Sequence, residues 1–149
     1  LFVRSANDKF NLANFMRAHL YASVGVLKIG NDILFNEEKI KVDRITGHGG
    51  LFKTKGVGQR VLAAAINSPI SVMETAGEGG AWGIALLASY LVNNANGLNL
   101  ADYLDKVVFA GDAGVEIAPT QEDVDGFNAY IENYKAGLAI EEAAVKAKK

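Results

Sequence analysis

The stretch Val42-Asp43-Arg44-Ile45-Thr46-Gly47-His48-Gly49-Gly50 decides how the chain is read. Apolar Ile40, Val42 and Ile45 run straight into a knot of glycines, the pattern of a short buried strand over Lys39–Thr46 that ends in a tight loop. Downstream, Lys55–Ile66 carries Val57, Val61, Leu62, Ala65 and Ile66 at helical spacing on an inner face, and Ser68-Pro69 stops it. Ile70, Val72 and Met73 then give a second short strand. It is followed by Gly77-Glu78-Gly79-Gly80 and a helix through Trp82, Ile84, Ala85, Leu87, Ala88 and Leu91. Strand, glycines, helix therefore occurs twice, which implies an α/β layer packing with parallel neighbouring strands.

Towards the ends the helices lengthen. Asn11 reads as the N-cap of a helix running to about Leu34, with Leu12, Phe15, Met16, Leu20, Val24, Leu27 and Ile29 as its apolar stripe and Ala13, Ala18, Ala22 and Val26 broadening it, so most of its sides are expected to be buried. Asn99 caps a short helix to about Lys106. Residues 107–118, with Gly111 and Gly114, read as irregular or edge strand. Thr120 caps the last helix, which has Glu122 and Asp123 in its first turn and Lys146, Lys148 and Lys149 at its end, as the helix dipole favours. The expected order is α-β-α-β-α-α-α. No repeat or linker divides the chain, and so few strands make a thin sheet for a free-standing domain. A missing piece is expected, and the start at Leu1 suggests a chain that begins inside a longer protein.

Composition sets the outer bounds. With 149 residues, 50% hydrophobic and 21% charged, the chain is expected to form a single filled core. A net charge of −2 does not suggest a nucleic-acid or polybasic membrane binder, but it hides a split: residues 1–60 carry +5 and the remainder −7. The absence of Cys excludes disulfides, thiolate nucleophiles and zinc–thiolate sites, and fits a reducing cytoplasm. Ala81–Val92 is the longest nearly apolar run and is shorter than the about 20 residues a bilayer span needs, so it reads as a core helix.

Nine of the 16 glycines lie between Gly47 and Gly83, in loops that each open a helix. Free N–H groups and the positive dipole end at a helix start favour phosphate, and glycines let it approach. Between Lys39 and Arg60 there are six basic residues, Lys39, Lys41, Arg44, Lys53, Lys55 and Arg60, against one acid, Asp43, a field suited to a polyphosphate. Ordinary β-to-α turns with solvated charges explain the same residues about as well. The G-x-G-x-x-G pattern fails at Phe52, Val61 and Trp82, and the Walker pattern fails because Phe52 precedes Lys53-Thr54. Glu74 and Glu78 flank the second loop as weak acid–base candidates. His19 reads as a core imidazole, His48 as a loop residue able to touch a ligand, and Trp82 as core. No catalytic residue and no metal-ligand set emerges.

The ordered set of Val42–Thr46, Gly47-His48-Gly49-Gly50, a helix, the strand Pro69–Met73 and Glu78-Gly79-Gly80-Ala81-Trp82-Gly83-Ile84-Ala85 resembles the carboxy-terminal lobe of the FGGY carbohydrate kinases. There a strand leads into a glycine triplet, and an E-x-x-A-x-G-A-A helix follows a second strand. Arg17-Ala18-His19-Leu20-Tyr21-Ala22 resembles the family's R-A-x-x-E-G helix, with Tyr21 where Glu is usual, and Ile117-Ala118-Pro119 resembles its closing segment. Leu51–Gly56 makes a longer connection than the family's short polar turn.

The resemblance implies a partial ribonuclease-H-like, actin-like ATPase lobe with long flanking helices, in which residues 1–149 are part of the carboxy-terminal ATP-binding lobe and the amino-terminal lobe is absent. It implies a cytoplasmic kinase that moves the γ-phosphoryl of ATP to a sugar hydroxyl, with a ketopentose (xylulose or ribulose) as the expected acceptor. Gly47, Gly49, Gly50 and Lys53 would bind the nucleotide, Gly79, Ala81 and Gly83 would form the interlobe helix, and Mg2+ would be held mainly by the absent lobe. The expected partners are sugar, ATP and the amino-terminal lobe, with a homodimer left open and no nucleic acid or membrane. The fragment alone would be inactive. The alternative is a non-catalytic binding or regulatory module built on an actin-like lobe.

Overall fold

The structure, a computed structural model, describes residues 1–42, 45–94, 96–110 and 114–148. Its order is α1 (Leu12–Asp32) with a π turn at Ile33–Glu37, β1 (Ile45–Gly47), α2 (Val57–Ile66), β2 (Ile70–Val72), α3 (Gly79–Asn93), α4 (Leu100–Tyr103) with a π turn at Leu104–Val108, β3 (Val115–Ile117) and α5 (Gln121–Lys146). Short 3-10 turns occupy Gly50–Phe52 and Glu74–Glu78. The chain divides into two compact units and passes between them four times, once inside α2.

The first unit comprises Leu1–Val42, Val61–Ser68 and Pro119–Lys149. Its helices begin where local chemistry places them: Asn11 accepts from the N–H of Asn14, and Thr120 from that of Asp123, satisfying donors the helix leaves open. The α1–α5 contact is aromatic and tight. Phe127 is fully buried, with the Tyr21 ring 4.8 Å away, and Val24, Val124 and Ile131 are buried as well. Gly25 of α1 lets Tyr134 and Ile131 close in, a Cβ there meeting them at 3.5–3.6 Å. The end of α2 contributes buried Leu62–Ile66. It closes with Asn67 in the left-handed region (φ 48°) and the Ser68 N–H bonded to the Ala63 carbonyl, a Schellman cap followed by Pro69.

The second unit comprises Asp43–Arg60 and Pro69–Ala118. Its sheet has the order β1-β2-β3, with β1 parallel to β2 (Ile45 opposite Ile70) and β3 antiparallel to it (Ile117 opposite Ile70). Central Ile70 is fully buried. Gln59, 4% exposed in the first turns of α2, donates from its amide nitrogen to the carbonyls of Ile70 and Val115, both at 2.6 Å, fastening the helix to the sheet. Asn99 caps α4 by accepting from Asp102 N–H, and buried Tyr103 meets the Tyr90 ring at 5.3 Å.

Several expectations are corrected. The first strand is three residues, not eight: β2 offers partners only to Ile45–Gly47, and Ile40 and Val42, without ladder neighbours, are about half exposed. Residues 107–118 yield β3, which pairs antiparallel where parallel neighbours are expected; Gly111 lies outside the described residues. Buried residues of α1 are confined to Val24 and Gly25, because α5 covers one stripe of it. His19 is exposed, edge-on to Phe15 at 4.5 Å, rather than a core imidazole. Val57, the first residue of α2, is 41% exposed. The run Ala81–Val92 is helical but not a core: α3 has no buried residue, and Trp82, Ile84, Leu87, Leu91 and Val92 are all exposed. Among the described residues no helix is long and apolar enough to cross a membrane.

Candidate functional site

Because β1 and β2 run parallel, the loops that leave them emerge at the same end of the sheet, where α/β proteins bind ligands. The first loop starts at buried Gly47, over which the Phe52 ring lies so closely that any Cβ would overlap it. Gly49 follows at φ 104°, ψ −176°, a conformation essentially confined to glycine. The 3-10 turn Gly50–Phe52 comes next, with Phe52 N–H bonded to Gly49 O at 3.0 Å and Lys53 N–H to Gly50 O at 3.2 Å. At Gly58 the second residue of α2 passes directly against the Leu51 carbonyl, leaving no room for a side chain.

The second loop folds onto the first. Gly49 N–H donates to the carbonyl of buried Ala76 at 2.7 Å. Lys53 Nζ lies 2.7 Å from Glu78 Oε1, and the hydrogen bond and charge of that lysine hold the Glu78 carboxyl below its usual range. Gly77 accommodates the Lys53 stem, and Gly79, first residue of α3, accommodates His48, a Cβ there coming within 3.3 Å of Nδ1. Glu78 stands at the N-cap of α3 without a side-chain capping bond.

Of the expected site residues, Gly47, Gly49, Gly50 and Lys53 thus share one loop, and Gly79 joins them through His48. Gly49 differs from expectation in one respect: its N–H is engaged by Ala76, so what it presents outward is bare backbone carbon. Ala81 is exposed and Gly83 half-buried on α3, and among the described residues no other element comes within 4 Å of a Cβ at Gly83. Of the cations counted in the sequence, Lys53 is tied to both loops, while Arg44 lies outside the described residues. Glu74 is exposed, and the carboxylate that pairs with Lys53 is that of Glu78. Sequence reasoning missed Gln59, Gly58 and the Ala76 carbonyl. A polar side chain among Val57, Val61 and Leu62 was the available signal for Gln59.

The model of the carboxy-terminal domain of the FGGY family of carbohydrate kinases matches residues 1–92. That is more than half of the 149-residue chain, and the chain belongs to this family. The matched span holds α1, both glycine loops and most of α3, and leaves Ile117-Ala118-Pro119 and α5 outside. No curated protein and no solved structure matches the sequence.

Proposed function

We propose that this chain forms the ATP-binding part of the carboxy-terminal, actin-like lobe of a two-lobe kinase, and that the complete protein transfers the γ-phosphoryl of ATP to a hydroxyl of a ketopentose such as xylulose or ribulose. The observation that carries the reading is the joining of two glycine loops at the carboxyl ends of two parallel strands, in a chain of the FGGY family. Phosphoryl transfer depends chiefly on positioning and charge neutralisation, so a lobe can contribute without supplying a base. Gly50, where a Cβ meets nothing within 4 Å, gives the ligand open backbone, and Lys53 gives a cation beside it. The acceptor hydroxyl's proton would pass to a base in the other lobe, across a boundary formed with Gly79, Ala81 and Gly83 of α3.

The described residues do not fit a Mg2+ site. Among the described residues no three His, Cys, Asp or Glu side chains group to hold a metal, and of the carboxylates at the second loop that of Glu78 is taken by Lys53. The ion's ligands are therefore assigned to the other lobe and no step is derived through it.

A coupled ADP-release assay of the complete protein with a panel of pentuloses tests the reading. One sugar should drive turnover well above the hydrolysis blank, Gly50→Val should raise KM for ATP without moving KM for sugar, and residues 1–149 alone should show no sugar-dependent turnover. ATP binding with no turnover on any sugar would instead favour a non-catalytic module.

A further inference from the structure

Lys53 and Glu78 stand 25 residues apart in sequence yet meet at 2.7 Å, one from each glycine loop. The placement is supported from below: a Cβ on Gly77 would lie 3.2 Å from Lys53 Cγ, so the bare glycine gives the lysine stem its track across the second loop. Both charged ends face water, with side chains 59% and 74% exposed, and an ion pair of that kind contributes little to stability. It is also open to replacement by a competing anion. A lysine ammonium offers three donors on a flexible stem and exchanges one oxygen anion for another without geometric penalty.

We infer that Glu78 is a built-in competitor for phosphate: it parks the Lys53 ammonium at the junction of the two loops, and a nucleotide phosphate arriving at Gly50 takes the lysine over from it. This rests on the ATP-site reading above and deepens it, making Lys53 the phosphate contact and Glu78 a positioning residue that acts through it. The two partners then have opposite signs. Removing the lysine weakens binding, whereas neutralising the carboxylate tightens it, and in the double variant the carboxylate no longer matters.

The test is calorimetric titration of the complete protein, as wild type, Lys53→Met, Glu78→Gln and the double variant, with ATP, ADP, AMP and adenosine at low and high salt. The expected result is a Glu78→Gln gain of about two- to fivefold for ATP, the range an exposed pair commands. Lys53→Met should lose a similar factor, the double variant should match Lys53→Met, and adenosine should be unchanged throughout, which a merely structural role for the pair would not produce. If wild type binds ATP but Glu78→Gln binds it equally or more weakly, the inference is overturned and the ATP-site reading stands. If wild type itself fails to bind ATP, both fall, and that is seen before any variant is made. Failure of Glu78→Gln to fold also overturns the inference, because the pair would then be a structural clip.

Discussion

Replacing Gln59 with Leu should weaken the fold measurably while leaving its shape filled. The Gln59 amide nitrogen supplies hydrogen bonds to two carbonyls, Ile70 in β2 and Val115 in β3, from a side chain that is 4% exposed. Leucine has nearly the same volume, so the loss is of donors rather than of packing. Each hydrogen bond lost costs about 1 kcal/mol and a buried acceptor left alone costs about 1–3 kcal/mol, so the loss of two such bonds is expected to cost about 2–4 kcal/mol. In a chain of this length that corresponds to a Tm lower by roughly 5–15 °C. Urea midpoints and thermal melts followed by circular dichroism would read it. Gln59→Glu sharpens the test, because its carboxylate would face two carbonyl oxygens. Burial and those dipoles would raise its pKa in the folded state, so its deficit should be largest at neutral pH and shrink as the pH falls and the group protonates. A Gln59→Leu variant within about 0.5 kcal/mol of wild type, the range of ordinary surface changes, would refute the fastening role.

Gly49→Ala should cost about 1–3 kcal/mol, since φ 104° with ψ −176° suits no side chain, and the same melts would show it. Among the described residues Gly83→Ala meets no other element within 4 Å, so it should stabilise α3 by up to about 1 kcal/mol. Turnover of the complete protein then reads the interlobe role proposed for α3: a fall means another element packs there, and unchanged turnover removes that role. Burial, aided by the Tyr134 charge, raises the Tyr130 phenol above its ordinary pKa of 10.0. Its contribution is full below that pH and lost as pH rises through the higher folded value, so absorbance titration near 295 nm and alkaline melts should show a loss that Tyr130→Phe abolishes.

What was legible in the sequence was what local chemistry determines. Asn11, Asn99 and Thr120 cap the helices they are expected to cap, because the bond involved spans three residues. Glycines after short apolar runs mark the turns out of β1 and β2 for the same reason. Pairing was not legible. The length of β1 depends on how many residues β2 opposes to it, and the antiparallel direction of β3 depends on a partner 45 residues away, Ser71 opposite Glu116. Apolar periodicity also failed as a guide to burial in α3, where a helix rich in apolar residues has none buried. The union of the two glycine loops lay furthest from sequence reasoning, because the bond from Gly49 to Ala76 and the ion pair from Lys53 to Glu78 are contacts between segments that read as separate turns.

The glycines themselves show where the fold's own demands end. Gly47 and Gly58 are required by packing, since Phe52 and the Leu51 carbonyl occupy the space a side chain would need, and Gly49 is required by its backbone angles. Those three would be needed in this loop whether or not it bound anything. Gly50 and Gly80 are different: neither has a positive φ, and a Cβ at either meets nothing within 4 Å. Among the described residues, neither packing nor backbone angle requires a glycine at these two positions. That makes Gly50 a sharper probe of the proposed nucleotide site than Gly47, whose replacement would disturb the loop itself, and a Gly50→Val variant that melts like wild type yet leaves KM for ATP unchanged would count against the proposal.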